Sequence, residues 1–458
     1  MGIAALSRKF IALAPAPLKR FLERLESSPI GKRLVRGAFW AFTGTLFSRG
    51  LNMAAMILIA RLLDKSEFGE LGIIQSTVMM FQPLAGFGLG WAATKYVAEF
   101  RNSDPVKAGK IIGFSILTAA GAGGILSILL FFAAPWLAVH TLAAPNLTRP
   151  LQISSLILFA STLAGTQTGV LAGFEAFNSI AKIEVISGLL SIPVIVGGAW
   201  FWGVEGAVWG MIVSFAANWV LNRQNLKRVA CLAKVSISWA DCWEVRRILW
   251  GFSFPAVLGG TISQIGNWAA NAVLVNQPGG YGEMGFYNAA NQWFSALLFI
   301  PGILGQAAIP VLSERLGEDD IGMSRKILVY STKLNVAIVL PVILAGSLGS
   351  TWIMGLYGQE FRLAWPTLVV TLIAAGIVAV QAPASQIISA SAKMWMALVI
   401  NLSWSTVFVL TAAAIIDSGS LGLAVARSIA YCFYAYWSIW FAYGLVRPKR
   451  HEPKHDYT

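Results

Sequence analysis

Residues 37–60 read GAFWAFTGTLFSRGLNMAAMILIA, a run that contains one charged side chain, that of Arg49. A helix of about 20 mostly apolar residues can cross the roughly 30 Å hydrocarbon core of a bilayer. The same pattern recurs along the chain and predicts about twelve transmembrane helices, at residues 37–60, 70–94, 111–134, 151–174, 183–202, 206–222, 248–275, 284–312, 329–356, 364–388, 394–416 and 421–445. We therefore expect an all-α polytopic membrane protein.

The composition of the chain agrees with this fold class. Apolar residues make up 57% of the chain and charged residues only 12%, against about 45–50% and 25% in soluble domains. A surface that faces hydrocarbon excludes charges, so the low charged fraction is the stronger of the two signals. The three cysteines, Cys231, Cys242 and Cys432, are scattered and predict no disulfide framework, metal cluster or cofactor site.

The distribution of basic residues predicts the orientation of the chain. With the N-terminus in the cytoplasm, the cytoplasmic segments carry 28 of the 34 Lys and Arg residues, and the opposite side carries 4. Such an excess marks the cytoplasmic side and predicts that both termini lie there. The net charge of +13 is then a topology signal and an attraction to anionic lipids, not a nucleic-acid site. Two flanking cytoplasmic segments are expected, a basic amphipathic one at residues 1–35 and a polar tail at 447–458.

The chain also shows a weak internal repeat. Phe68–Gly72 reads FGELG, Tyr281–Gly285 reads YGEMG 213 residues later, and Asn52 and Asn267 pair at a spacing of 215. A cytoplasmic linker at 223–247 separates two predicted lobes of six helices each, at 36–222 and 248–446. Because each half begins inside, the repeats are parallel and related by an axis along the membrane normal, an arrangement that encloses a central cavity.

Short motifs of small and apolar residues extend over most of the chain: Ser48-Arg-Gly-Leu51, Ala60-Arg-Leu-Leu63, Phe68-Gly-x-x-Gly72, Leu171-Ala-Gly-Phe-Glu175 followed by Lys182, Gly203-Val-Glu-Gly206 and Ile309-Pro-Val-Leu-Ser313. Together they resemble the polysaccharide flippases of the multidrug/oligosaccharidyl-lipid/polysaccharide exporter superfamily. The resemblance implies a two-lobed, V-shaped carrier of twelve helices in the bacterial inner membrane, without a cofactor.

The resemblance also implies a function. We expect a flippase that moves a polyprenyl-diphosphate-linked oligosaccharide from the cytoplasmic to the outer leaflet for surface polysaccharide assembly, such as O-antigen (lipopolysaccharide), capsule or exopolysaccharide. Its partners would be the lipid-linked oligosaccharide with its diphosphate head group, anionic lipids and the polysaccharide polymerase machinery.

Arg49 is the leading candidate for substrate binding, because it lies near the middle of the first predicted span. A charge at that depth costs about 3 kcal/mol on insertion scales, which a water-filled cavity and an anionic ligand would offset. A guanidinium group matches a diphosphate with a planar fork of donors, and the resemblance also implies a cavity arginine here. The alternative is a structural arginine bonded to backbone carbonyls. Arg427 is a second candidate, although its position near the outer end of the last span predicts a side chain that reaches water.

Two sets of amides are predicted to line one helix face each, at spacings of three and four residues. Neutral amides suit sugar hydroxyls, and hydrogen bonding between helices is the equally good alternative. The candidate substrate-binding residues are Arg49, Asn52, Gln264, Asn267, Asn271, Asn288, Asn291, Gln292 and Arg427. A further polar cluster, formed by Glu175, Lys182 and Glu184, is predicted to be a solvated cytoplasmic turn.

Three alternative functions would each require a different sequence feature. A drug/cation antiporter of the same superfamily would favour a deep carboxylate, and no Asp or Glu lies near the centre of a predicted span. A transporter of the major facilitator type would carry a Gly-x-x-x-Asp-Arg-x-Gly-Arg motif, which residues 95–107 do not fit. A membrane sugar polymerase or glycosyltransferase would need an acid/base group on a sizeable loop, and the predicted external loops are short. The sequence therefore favours a transporter over an enzyme.

Overall fold

The computed structural model describes residues 29–239, 242–305, 312, 316, 321–391 and 393–446. Most of the predicted segment 1–35 and all of the predicted tail 447–458 lie outside these residues. No strand occurs in the described part of the chain. Its α-helices with both ends described are α1 Pro29–Leu62, α2 Lys65–Gly86, α3 Leu89–Phe100, α4 Pro105–Trp136, α5 Thr148–Gly173, α6 Phe177–Leu232, α7 Arg246–Val275, α8 Gly280–Leu297, α9 Ile321–Leu348, α10 Ser350–Gly355, α11 Trp365–Ala390, α12 Met394–Ala414 and α13 Gly419–Leu445, and residues 299–305 are also helical.

Several of these helices are suited to a bilayer. Seven helical stretches in the described residues are long and apolar enough to cross a membrane: Thr43–Leu62, Pro105–Thr141, Pro145–Gly173, Phe177–Leu232, Ile321–Leu348, Glu360–Ala390 and Met394–Ala414. Many large apolar side chains on them face outward, among them Ile125, Phe132, Phe201 and Leu348, as expected for a surface in contact with lipid. The prediction of an all-α membrane protein is therefore confirmed.

The predicted span at 70–94 is wrong as a single helix. Helix α2 ends at Gly86 and α3 begins at Leu89, because the two residues between them, Phe87 (φ 43°) and Gly88 (φ 61°), adopt the left-handed conformation. A right-handed helix cannot continue through two such residues.

Helix α6 combines the predicted spans 183–202 and 206–222. The backbone departs from helical geometry at Trp202 and at Gly203, which has a φ of 57° that glycine adopts without a steric penalty. A Cβ at Gly198 would overlap the carbonyl oxygen of Gly206, and a Cβ at Gly206 would overlap that of Gly198. The two arms of α6 therefore turn back on each other and pack with their backbones in direct contact.

The chain divides into two compact units. The first unit contains the described residues through Leu62, Phe81–Trp136 and Asn146–Phe254. In it α6 packs against α1 and α5, and α5 packs against α3 and α4. A core at one end of this unit is built from buried residues of α3, α4, α5, α6 and the segment after α6, including Val97, Ile111, Phe114, Leu171, Leu226, Val235 and Cys242.

The predicted linker 223–247 is attached to the first unit over much of its length. Helix α6 continues to Leu232, and the non-helical segment Ala233–Trp239, which we call the strap, lies on α4. A Cβ at Gly109 would overlap the carbonyl oxygen of Ser236, and one at Gly113 would overlap that of Ser238. Two glycines one helical turn apart thus allow the strap to contact the α4 backbone.

The second unit contains Pro255 onward together with two segments from the first half of the chain, Leu63–Met80 and Leu137–Pro145. Helix α11 packs against α8, α9 and α13, and α12 packs against α13. The two early segments extend the second unit beyond the predicted lobe 248–446, and they are missing from the first unit although they fall in the predicted lobe 36–222.

Side-chain hydrogen bonds hold both early segments in the second unit. The indole N–H of Trp268 donates to Thr77 Oγ1 at 3.0 Å, and Asn271 Nδ2 donates to Ser76 Oγ at 2.9 Å. In the other segment the Tyr281 hydroxyl donates to the Leu142 carbonyl oxygen at 2.7 Å. Burial, together with the nearby Glu70 carboxylate, raises the pKa of Tyr281, so its hydroxyl remains a donor at neutral pH.

The two copies of the repeated motif pack against each other. A Cβ at Gly69 of α2 would overlap the carbonyl oxygen of Tyr281, and a Cβ at Gly285 of α8 would overlap that of Lys65. At the same place Gly72 lies against Asn288. We call this contact between FGELG and YGEMG the glycine crossing. Its glycines bring the backbones of α2 and α8 together, as small residues do at helix interfaces in membranes.

Candidate binding sites in the two units

Arg49 lies on α1, inside the membrane-suited stretch Thr43–Leu62. Arg49 is exposed, and its guanidinium interacts electrostatically with the carboxylate of Glu184 on α6. The neighbouring Ser48 is buried, and its hydroxyl donates to Glu184 Oε2 at 3.2 Å. The first unit therefore presents an accessible cation that is balanced by a carboxylate of another helix.

The prediction that Glu184 belongs to a solvated turn is wrong. Helix α6 begins at Phe177, so Glu184 lies two turns inside the helix, half-buried and directed at α1. Glu175 does lie at the turn, where it has a φ of 58° and pairs with Arg101. The sequence contained the signal, because Glu184, Ser187 and Ser191 share one helix face at i, i+3 and i+7.

Asn52 lies on the same side of α1 as Ser48, one turn further along. Its side-chain oxygen accepts a hydrogen bond from Ser191 Oγ at 3.3 Å, while the residue remains exposed. On the second arm of α6, Asn218 Nδ2 donates to Ser187 Oγ at 3.0 Å, and Asn222 Nδ2 donates to Asn218 Oδ1 at 2.8 Å. A continuous polar track therefore runs from Arg49 into the first unit, and sequence reasoning identified only its two members on α1.

The predicted amides of α7 differ in their surroundings. Asn271 is buried and bonded to Ser76, as described above. Asn267 Nδ2 donates to the carbonyl oxygen of Ser263 in its own helix at 2.9 Å, and Gln264 is half-buried. Asn271 therefore fits the alternative of hydrogen bonding between helices. Among the described residues, Asn267 and Gln264 make no side-chain hydrogen bond to another helix.

The amides of α8 occupy an arc of the helix between three neighbours. Asn288 is buried against Gly72, Asn291 accepts a hydrogen bond from Arg427 at 2.6 Å, and Gln292 accepts one from the Tyr357 hydroxyl at 3.2 Å. Asn288 Nδ2 and Gln292 Nε2 are buried and have no hydrogen-bond partner among the described residues. Such donors are costly to leave unsatisfied.

Arg427 does not reach water, contrary to the prediction from its position in the chain. It is 7% exposed, and its Nη1 donates to Tyr287 Oη at 3.2 Å and to Asn291 Oδ1 at 2.6 Å. Its guanidinium carbon lies 3.7 Å from the centroid of the Phe294 ring, which contributes a cation–π contact. The reason is geometric, since the face of α13 that carries Arg427 packs against α8.

The candidate residues thus form two groups. Arg49 and Asn52 belong to the first unit, and Gln264, Asn267, Asn271, Asn288, Asn291, Gln292 and Arg427 belong to the second. Within the described residues no group of three or more His, Cys, Asp or Glu side chains could hold a metal ion.

Comparisons with known proteins identify the class. A family model described as polysaccharide biosynthesis protein matches residues 34–315. A curated relative, the EPS I polysaccharide export inner membrane protein EpsE of Ralstonia solanacearum, is 21% identical over 92% of this chain and 93% of its own length.

Two solved structures share the fold. A multidrug resistance MATE family transporter of the MOP superfamily, in an inward-facing conformation, matches with a TM-score of 0.74 and 16% identity, covering 89% of this chain and 98% of its own. The lipid II flippase MurJ, in an inward closed conformation, matches with a TM-score of 0.69 and 15% identity, covering 88% and 87%.

The fold and the relatives define a transporter of the polysaccharide export type. Because the family model matches more than half of the chain, the chain belongs to the polysaccharide biosynthesis protein family. The resemblance stated from the sequence motifs is confirmed, and the chain is a multi-pass protein of the inner membrane.

Proposed function

We propose that this protein is a flippase for a polyprenyl-diphosphate-linked oligosaccharide, which it moves from the cytoplasmic to the outer leaflet by alternating access. The proposal includes twelve membrane crossings in two parallel six-helix repeats, with both termini in the cytoplasm. The named export relative and the fold shared with the lipid II flippase support the substrate class. The chain would then act before polymerisation and would not be an enzyme.

One observation carries the proposal: Arg49 is an accessible cation inside a helical stretch, Thr43–Leu62, that is apolar enough to span the bilayer. A charge at such a position is retained when it faces a water-filled pathway and serves a function. The guanidinium offers paired donors that match the oxygens of a diphosphate. The exposed amide of Asn52 beside it supplies a neutral donor and acceptor for the hydroxyls of the first sugars, while the buried and half-buried residues behind it, from Ser191 to Asn222, hydrogen-bond to one another and hold α1 and the arms of α6 together.

The helix lengths support a site toward the cytoplasmic side of the membrane. Arg49 precedes the end of α1 at Leu62 by about 20 Å at 1.5 Å per residue. Glu184 follows the start of α6 at Phe177 by about 10 Å. In a hydrocarbon core of about 30 Å, both distances are consistent with a depth of roughly 10 Å from the cytoplasmic boundary. A head group made in the cytoplasm could reach that depth while its lipid tail stays in the bilayer.

The α8 face in the second unit is a further candidate contact for the oligosaccharide. Asn288 Nδ2 and Gln292 Nε2 are unpartnered buried donors that sugar oxygens would satisfy. Arg427 would act through Asn291, which it holds, and not by contacting the substrate itself.

A drug/cation antiporter is the second candidate, because a membrane-embedded carboxylate, Glu184, lies beside Arg49. The two functions differ in what accumulates when the protein is missing. A strain that lacks the gene should lose its surface polysaccharide and trap the lipid-linked oligosaccharide in the cytoplasmic leaflet. Normal polymer combined with raised drug sensitivity would favour the antiporter, and an intermediate that reaches the outer leaflet without elongation would favour an enzyme.

Complementation of that strain tests the residue. Arg49→Ala should abolish transport while the protein remains in the membrane, and Arg49→Lys, which keeps the charge but loses the planar fork, should retain a fraction. Arg228→Ala, which removes an exposed charge from the end of α6, is the matched control and should transport normally. Full transport by the Arg49→Ala protein would refute the role assigned to Arg49.

A further inference from the structure

Helices α1 and α6 place a carboxylate beside the candidate anion-binding arginine. Glu184, Ser187 and Ser191 follow one face of α6, and the first and last of them contact Ser48 and Asn52 of α1 at 3.2 and 3.3 Å. Glu184 is therefore fixed in the helix contact by a hydrogen bond.

A glycine sets the spacing of this contact. A Cβ at Gly188, one turn after Glu184, would lie 3.1 Å from Leu51 Cδ1 and 3.4 Å from Ser48 Cα. Because the two helices approach this closely, the carboxylate of Glu184 interacts electrostatically with the Arg49 guanidinium, while Arg49 keeps an exposed surface. A guanidinium can be shared in this way because it has five N–H donors.

We propose that Glu184 is the resident counter-charge of Arg49, and that the diphosphate of the substrate competes with it for the guanidinium. This inference rests on the proposed function. In the empty site the pair is neutral, which lowers the cost of a cation in the membrane. A diphosphate carries more negative charge than a carboxylate and offers more acceptor oxygens, so it displaces Glu184. The returning carboxylate then helps to release the head group, which keeps binding weak enough for turnover.

A purely structural role for Glu184 predicts the opposite sign. If the carboxylate only held Arg49 in place, its removal would disorder the guanidinium and weaken binding of the diphosphate. If it competes, its removal strengthens binding and slows release.

The test is a binding measurement on the purified full-length protein in lipid nanodiscs, with farnesyl diphosphate as the probe. Glu184→Gln keeps the shape and can still accept the Ser48 hydrogen bond, and it should bind the probe about three- to fivefold more tightly, the upper part of the range expected for loss of a partly exposed ion pair. In an Arg49→Ala background the same substitution should change affinity by less than about twofold. Glu175→Gln is the matched control. It removes a carboxylate just before the start of α6, one that pairs with Arg101 and not with Arg49, and it should leave binding of the probe unchanged.

Flipping assays provide the second readout. With the lipid-linked substrate in vesicles, Glu184→Gln should lower both KM and the maximal rate, whereas a structural defect would raise KM. If binding of the probe depends on Arg49 but Glu184→Gln weakens it or leaves it unchanged, this inference is overturned and the proposed function stands. Probe binding that is absent, or indifferent to Arg49→Ala, overturns both.

Discussion

Alanine at position 69 should disrupt the glycine crossing of α2 and α8. The added Cβ would overlap the Tyr281 carbonyl oxygen and would lie 2.9 Å from the Gly285 nitrogen, against an ordinary contact distance of 3.4 Å or more. The neighbours are backbone atoms of a packed helix, so no side chain can rotate away. The two helices must therefore separate by at least about 0.5 Å at this point, and by more at the carbonyl.

The magnitude follows from two opposing effects. Forcing one extra carbon into a packed contact costs about 1–3 kcal/mol, and a clash with backbone on both sides belongs at the upper end of that range. Replacing glycine by alanine inside a helix stabilises the helix by up to about 1 kcal/mol. We expect a net loss of about 2 kcal/mol in the free energy of unfolding for Gly69→Ala, and a similar loss for Gly285→Ala.

The assay is equilibrium unfolding of the purified protein in mixed detergent micelles, followed by circular dichroism. Gly121→Ala is the matched control, because it lies inside α4 and nothing surrounds its added Cβ within 4 Å. That variant should be as stable as the parent protein or slightly more so. If Gly69→Ala unfolds at the same denaturant concentration as Gly121→Ala, the close backbone contact at the glycine crossing is incorrect.

Two other predictions concern Arg427 and the strap. Arg427→Ala should lower the free energy of unfolding by about 3 kcal/mol, because it leaves Asn291 and Tyr287 without their buried partner, whereas the exposed Arg228→Ala should change it by less than about 0.5 kcal/mol; equal effects in the same unfolding assay would argue against the buried position of Arg427. Gly113→Val should detach the strap from α4, since its side chain would occupy the place of the Ser238 carbonyl, and trypsin should then cleave after Lys234 at least about tenfold faster. Gly121→Val, with open space around it, should be cleaved at the parental rate, and parental cleavage of Gly113→Val would show that the strap is held by other contacts.

The local pattern of apolar residues was sufficient to predict many of the helices. The apolar runs predicted helices at the right places because a bilayer imposes length and composition on each helix separately. The spans predicted at 183–202 and 206–222 leave a short connection between them, and the structure has a non-helical break there, at Trp202 and Gly203. The break at Phe87–Gly88 was not predicted, since an aromatic residue rarely adopts a positive φ and gives no signal that it will.

The candidate sites were harder to predict, because they depend on which helix faces which. Glu184 was assigned to a turn, since its neighbours Glu175 and Lys182 are polar and hydropathy alone set the end of the helix. Arg427 was expected at the surface because its depth in the last helix was known, whereas the direction of its side chain toward α8 was not. In both cases the contact with a second helix, more than 130 residues away in the chain, decided the environment.

Long-range packing also determines the role of the repeated motif, which the sequence shows as a repeat but not as a helix contact. FGELG and YGEMG resemble each other, which suggested two equivalent positions in separate lobes. The structure shows that they touch, so that the small residues serve one helix contact from both sides.

The assignment of Leu63–Met80 to the second unit has a consequence for biosynthesis. Thr77 and its partner Trp268 are separated by 191 residues, so the ribosome must enter the second half of the chain before the middle of α2 can meet these neighbours. Until then α2 lacks the packing partners of Ser76, Thr77 and its glycines. A half-molecule ending near residue 240 would lack them permanently, which favours synthesis of both halves as one polypeptide and predicts poor survival of separately expressed halves.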